Sequence, residues 1–158
     1  VSVFGHGMLI TGIRPANVTG PDKVRGSVDH VNIITEPARG NPIGFKFKDA
    51  MRCPIHVDDI AEVFVRVLMA DKPKHQIYSS GGHMISMGDI AKIVREFLPD
   101  AKITFEKETG GKESSGNYLI DNSRLVGEFG VQYHPYRSRV LQIINDVRAE
   151  QGLPAIKG

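Results

Sequence analysis

From Asp58 onward, Ile60, Val63, Phe64, Val67 and Leu68 recur at i, i+3, i+4, i+7 and i+8, the spacing of one helix face. An apolar, strand-like run from Met51 to Val57 leads into this helix, which is expected to end near Ala70. Asp58 or Asp59 is placed to accept hydrogen bonds from the first-turn N–H groups, so one of them is expected to cap it. Before this junction, Met8 to Val18 reads as a strand that leaves through Pro15. Asn17 to Pro21 is a turn cluster, followed by a basic loop over Asp22 to Gly26. Ser27 is placed to cap a helix through about Pro37, with Val28, Val31, Ile33 and Ile34 as its apolar members. Gly40-Asn41-Pro42 stops it, and Ile43 to Lys48 alternates as a half-buried strand does.

Beyond the central helix, Gln76 to Ser79 is a short strand running into Ser80-Gly81-Gly82. Ser86 is placed to cap a helix whose face carries Ile90, Ile93, Val94, Phe97 and Leu98 and which Pro99 closes. Ala101 to Glu106 is another strand, and Glu106 to Ser115 a polar loop. Tyr118 to Ile120 is extended; Asp121 or Asn122 then caps a brief helix that Gly130 ends. A last helix, roughly Pro135 to Gln151, carries Val140, Ile143, Ile144 and Val147. Strands alternating with helices predict an α/β chain.

At 158 residues the chain suits one domain. A net charge of +2 with scattered basic residues argues against nucleic acid, and no apolar run is long enough to span a membrane. No signal peptide opens the chain, and the lone cysteine, Cys53, excludes an internal disulfide and fits a reducing compartment, so a cytoplasmic location is expected. The chain starts at Val1 rather than Met, which leads us to expect a removed start or a piece of something longer.

Self-contained chemistry is scarce. No Gly-x-Gly-x-x-Gly follows a strand, no phosphate-binding Gly-x-x-x-x-Gly-Lys-Ser/Thr occurs, and the six histidines lack metal-ligand spacing. His56, between apolar neighbours, reads as a hydrogen-bonded structural residue rather than a base.

Several segments nevertheless resemble, in order and spacing, the second half of the NAD-dependent epimerase/dehydratases, the extended short-chain dehydrogenases. Ile13-Arg14-Pro15-Ala16-Asn17-Val18-Thr19-Gly20-Pro21 resembles that family's Arg-x-x-Asn-Val-Tyr-Gly-Pro, and Arg52 to Ala61 its Arg-Asp-x-x-His-Val-x-Asp-x-Ala. Tyr78-Ser79-Ser80-Gly81-Gly82 followed by Ile85-Ser86 resembles Tyr-Asn-x-Gly-Gly before a serine-capped helix. Asp121 to Leu125 and Glu128 to Val131 resemble Asp-x-Ser-Lys/Arg and Glu-Leu-Gly-Trp.

The resemblance implies the C-terminal part of a Rossmann-type fold: final strands of the cofactor sheet (about 8–22 and 51–82) and a small α/β substrate-binding lobe (about 23–50 and 83–158). Pro15 and Ala16 would line the pocket of NAD or NADP. Asn17 would contact the sugar or diphosphate of a nucleotide-sugar substrate, Arg52 would fork a phosphate, and Arg25 and Ser27 would lie near the base or ribose. A turn asparagine at 17 and an arginine tethered to a neighbouring carboxylate at 52 are the plain alternatives. The family's second phosphate-binding arginine is absent, and Lys112 stands near that place as a point charge.

The family's dinucleotide loop and Tyr-x-x-x-Lys pair are missing too, so the chain alone is expected to be inactive and to bind no cofactor tightly. The expected function is the substrate-binding part of an NAD(P)-dependent nucleotide-sugar epimerase or dehydratase. The alternatives are part of a carbonyl reductase acting on a non-nucleotide small molecule, and a non-catalytic binding domain. Uncovered strands and apolar faces predict self-association or pairing with an N-terminal half.

Overall fold

The computed structural model describes residues 10–110 and 119–158. Its strands are β1 (Gly12–Arg14), β2 (Asn17–Thr19), β3 (Ile43–Phe47), β4 (Met51–Arg52), β5 (Pro54–His56), β6 (Ile77–Ser79), β7 (Ile85–Ser86) and β8 (Ile103–Lys107). Its helices are α1 (Asp29–Ala38), α2 (Val57–Leu68), α3 (Met87–Phe97), α4 (Ser123–Phe129) and α5 (Tyr136–Glu150). The strands form four two-stranded ladders: β1·β6, β2·β5 and β3·β8 are parallel, and β4·β7 is antiparallel. No helix among the described residues is long and apolar enough to cross a membrane.

Two apolar clusters form. The larger joins Ile33 and Ile34 of α1, Met87, Ile90 and Val94 of α3 and Val140, Ile143, Ile144 and Val147 of α5, with Phe45 and Phe105 of the β3·β8 ladder packed against it. The smaller joins Ile55, Ile60, Val63, Val67, Tyr78, Leu125 and Val131, gathering α2 and α4 around β5 and β6.

Local chemistry explains most boundaries. Ser86 Oγ accepts the Asp89 N–H at 3.0 Å and caps α3, which stops just before Pro99. Gly130 takes a left-handed conformation at φ 60° and closes α4. Gly82 is required by a close approach, since a Cβ there would sit 2.7 Å from the Pro54 carbonyl oxygen.

The structure corrects several sequence expectations. Within the described part of the run to Val18, β1 ends before Pro15 as expected and pairs with β6, but Asn17 to Thr19, expected in a turn cluster, forms β2 and pairs with β5. The run from Met51 to Val57 likewise divides at Cys53, and Val57 opens α2. The breaks have a common cause. Asn17 N–H donates to the Cys53 carbonyl at 3.0 Å and Asn17 Oδ1 accepts from Cys53 N–H at 3.3 Å, which pins the two bends to each other.

The cap of α2 is His56, whose Nδ1 accepts the Asp58 N–H at 3.2 Å, not Asp58 or Asp59. Asp59 points away into the protein instead, 1% exposed, toward Arg139 and His134. Ser27 does not cap α1; Val28 stands there without a side-chain bond, and Ser27 Oγ donates to Asp29. Phe64 and Leu68, expected on the buried face of α2, are 50% and 82% exposed. Leu119 and Ile120 are not in a strand, and Tyr118 lies outside the described residues.

Candidate functional site

The break between β1 and β2 exposes Pro15 and half-buries Ala16 at the carboxyl end of β1. Ser80, wholly buried, fixes that link: Ala16 N–H donates to Ser80 Oγ at 2.9 Å, and Ser80 N–H donates to the Arg14 carbonyl at 3.0 Å. The Ser80 carbonyl in turn accepts from Asn122 Nδ2 and from the Tyr133 hydroxyl. Asn17 follows directly, and its Oδ1 accepts from the Cys53 N–H.

One residue before Cys53, on β4, lies Arg52. Its Nε donates to both Asp29 carboxylate oxygens, at 3.2 and 3.1 Å, its Nη2 pairs with Asp29 Oδ2, and its Nη1 donates to the Met51 carbonyl at 2.6 Å. Asp29 begins α1, where the helix dipole favours an anion. It also accepts from Ser27 Oγ at 3.0 Å and from the His30 backbone N–H at 2.8 Å. Partial burial alone would raise the Asp29 carboxyl; hydrogen bonds from His30, Arg52 and Ser27, with the Arg52 charge, outweigh this and hold it well below the usual carboxylate range.

His30, wholly buried, places Nδ1 3.4 Å from Asp29 Oδ1 and Nε2 3.3 Å from the Val18 carbonyl. Lys23 Nζ reaches the same carbonyl at 3.0 Å and stands 3.5 Å from His30 Nε2. Burial lowers the Lys23 pKa, against a partial upward pull from Asp29. A polar chain thus runs from Lys23 through His30 and Asp29 to Arg52.

Of the residues singled out from the sequence, Asn17, Ser27 and Arg52 come together at the junction of β2, α1 and β4. Pro15 and Ala16 stand at the head of β2. Arg25 is exposed in the adjoining loop, and Lys112 lies outside the described residues. Asp29, His30 and Lys23 belong to the cluster although the sequence did not single them out. The one signal for Asp29 was an acidic residue at a helix start.

Among the described residues no three metal-binding side chains gather. Nor do they include an activated tyrosine: burial pushes Tyr133 up to about 12 and raises Tyr78 and Tyr136 as well. Burial also raises the Cys53 thiol, which is 1% exposed and suited to packing rather than attack.

No protein-family model and no curated protein sequence matches the chain. Solved structures do. A partial-consensus L-threonine 3-dehydrogenase superposes with a TM-score of 0.79 at 19% identity, over 92% of this chain and 50% of that one. An L-threonine dehydrogenase from Cupriavidus necator gives 0.77 at 19%, over 90% and 55%. The UDP-glucose 4-epimerase of Thermus thermophilus, in complex with NAD, gives 0.68 at 16%, over 86% and 45%. The chain has a Rossmann-type α/β fold like that of the C-terminal portion of these dehydrogenase and epimerase structures. The chain spans about half the length of the solved structures it matches. The Asp29–Arg52 cluster lies within the matched part of the fold, and the sequence contains no Tyr-x-x-x-Lys.

Proposed function

We propose that this chain is the substrate-side half of an NAD(P)-dependent extended short-chain dehydrogenase that acts on a small polar molecule rather than on a nucleotide sugar. The observation that carries this reading is the engagement of Arg52. The guanidinium that would clamp a diphosphate is already forked onto Asp29, and no arginine stands just before Asp121, where the resemblance places a second one. The nucleotide-sugar epimerase reading retains the support of the Arg52 motif and of an epimerase among the structural neighbours. A binding domain without catalysis is the remaining alternative.

In the proposed enzyme, residues of about 8–22 and 51–82 complete the cofactor sheet and those of about 23–50 and 83–158 mainly form the substrate lobe. Pro15 and Ala16 fit a cofactor wall, because their backbone stands at a strand's carboxyl end and is held in place by Ser80. NAD or NADP, when bound, supplies hydride transfer, and the groups that grip the dinucleotide belong to an N-terminal half. That half is the proposed partner of the uncovered side of α2, where Phe64, Val65, Leu68 and Met69 are all exposed.

The test is a turnover assay on the gene product that includes the coding sequence upstream of Val1. NAD(P) reduction by a small hydroxylated acid, L-threonine among those tried, is the expected result. Interconversion of UDP-glucose and UDP-galactose instead would overturn the small-substrate reading, and no turnover of either kind would favour the binding domain.

A further inference from the structure

We infer that Asp29 is a specificity-determining residue that keeps nucleoside diphosphates off Arg52. The inference rests on the small-substrate reading above and gives it a cause. Arginine recognises a phosphate through a planar fork of N–H groups. Here each of the three guanidinium nitrogens already donates to a protein oxygen: Nε and Nη2 to the Asp29 carboxylate, Nη1 to the Met51 carbonyl. The carboxylate does the work of a bound phosphate from within the chain. It is an anion at the first turn of α1, held by Ser27 Oγ, the His30 N–H and Arg52 together.

A diphosphate approaching Arg52 would have to displace a carboxylate that these three residues hold, or lie against it with like charge. Neither Lys23 nor Ser27 compensates. Lys23 Nζ is turned to the Val18 carbonyl and His30, and Ser27 Oγ is turned to Asp29 itself. The side chains of Arg52 and Asp29 are 18% and 29% exposed, so the pair faces solvent in part and an anion could approach it from there. The substrate class that suits it is small and carries no diphosphate.

The experiment is a calorimetric titration of the 158-residue chain with UDP and, separately, with inorganic pyrophosphate. Asp29→Asn keeps the shape of the side chain and removes its charge. Wild type is expected to show no saturable binding, and Asp29→Asn to gain affinity for both probes by at least about tenfold. The gain should disappear in Asp29→Asn/Arg52→Met and be absent in Asp29→Glu. Asp29→Ser serves as a second opened variant if the asparagine protein folds poorly, and a gain of binding is not something unfolding produces. Saturable wild-type binding as tight as that of Asp29→Asn, or a gain that survives the loss of Arg52, would overturn the inference. The two readings fail separately. UDP-sugar turnover by the longer protein removes the small-substrate reading, whereas an unchanged UDP affinity in Asp29→Asn removes the role of Asp29.

Discussion

Helices α3 and α2 carry similar apolar stripes, and the protein buries them differently. Met87, Ile90, Ala91, Val94 and Phe97 of α3 are all buried, because α1, α5 and the β4·β7 ladder surround that helix. On α2, Ile60, Val63 and Val67 are buried against β2 and β5, while Phe64, Val65 and Leu68, with Met69 just after the helix, remain 50%, 57%, 82% and 76% exposed. Glu62 and Arg66, bonded to each other, interrupt that outer apolar face. The helix is amphipathic, yet its apolar residues extend beyond the stripe that the described core covers. The contrast teaches that the α1·α3·α5 cluster closes over its stripes, whereas among the described residues the outer side of α2 stays uncovered.

The two regions are strapped together by charge. Asp59 of α2 is 1% exposed and meets Arg139 of α5 through Nε at 3.2 Å and through Nη2, with His134 Nδ1 at 3.3 Å. Burial would raise the Asp59 carboxyl, but hydrogen bonds and charge from Arg139 and His134 bring it down. Its contribution is therefore present above its ordinary pKa of 3.8 and is lost as pH falls below that value.

The sharpest way to break the comparison is to hollow out each core in turn. Ile143→Ala in the larger cluster should cost about 4 kcal/mol in urea unfolding, and Ile55→Ala, equally buried in the smaller one, about 2 kcal/mol. Equal losses would mean that the two clusters are equally closed. Arg139→Ala, which leaves the Asp59 carboxylate buried without its main partner, should cost about 3 kcal/mol. Amide exchange should then speed up in α2 more than in α3; uniform acceleration would show that no boundary lies between the regions.

A smaller effect comes from His56. Its Nδ1 caps α2 only when unprotonated, and burial, aided by the Arg139 charge, lowers its pKa below the ordinary 6.5 against the pull of Asp58 and Asp59. His83 is lowered by burial too. The unfolded chain therefore takes up protons on these groups before the folded one does, and stability falls as pH drops below about 6.5. His56→Asn, which caps without titrating, should reduce that loss by about 1 kcal/mol. A melting temperature that is flat in wild type from about pH 7.5 to 5.5 would refute it.

The smallest effect on stability is expected from Phe64→Glu/Leu68→Glu, within about 0.5 kcal/mol per site. Light scattering should nevertheless show less self-association than wild type. An unchanged oligomer would mean that α2's outer face is not the surface that associates.

Much of this fold was legible residue by residue. Ser86, Pro99 and Gly130 mark helix ends by chemistry that acts within one turn, and the stripes of α3 and α5 report burial through their period. What was not legible depends on partners far along the chain. The breaks at Pro15-Ala16 and Cys53 come from Asn17 and Cys53 bonding each other across 36 residues. His56 displaced the acidic candidates as cap of α2 because Asp59 is drawn inward to Arg139, 80 residues away. Within the candidate site, Arg52 was visible by its motif, but its partner Asp29 was not, since no local pattern joins positions 23 apart.

Helical and extended periods, short-range caps and turn glycines are properties of neighbouring residues, and the sequence by itself settled them, along with the α/β class. Which face of α2 is covered, which residue holds Arg52 and where a strand must bend were decided only in the tertiary structure. Those outcomes depend on what a distant segment brings alongside: a hydrophobic stripe states that a surface needs cover, and an arginine that an anion is wanted, but neither names the partner that packing delivers.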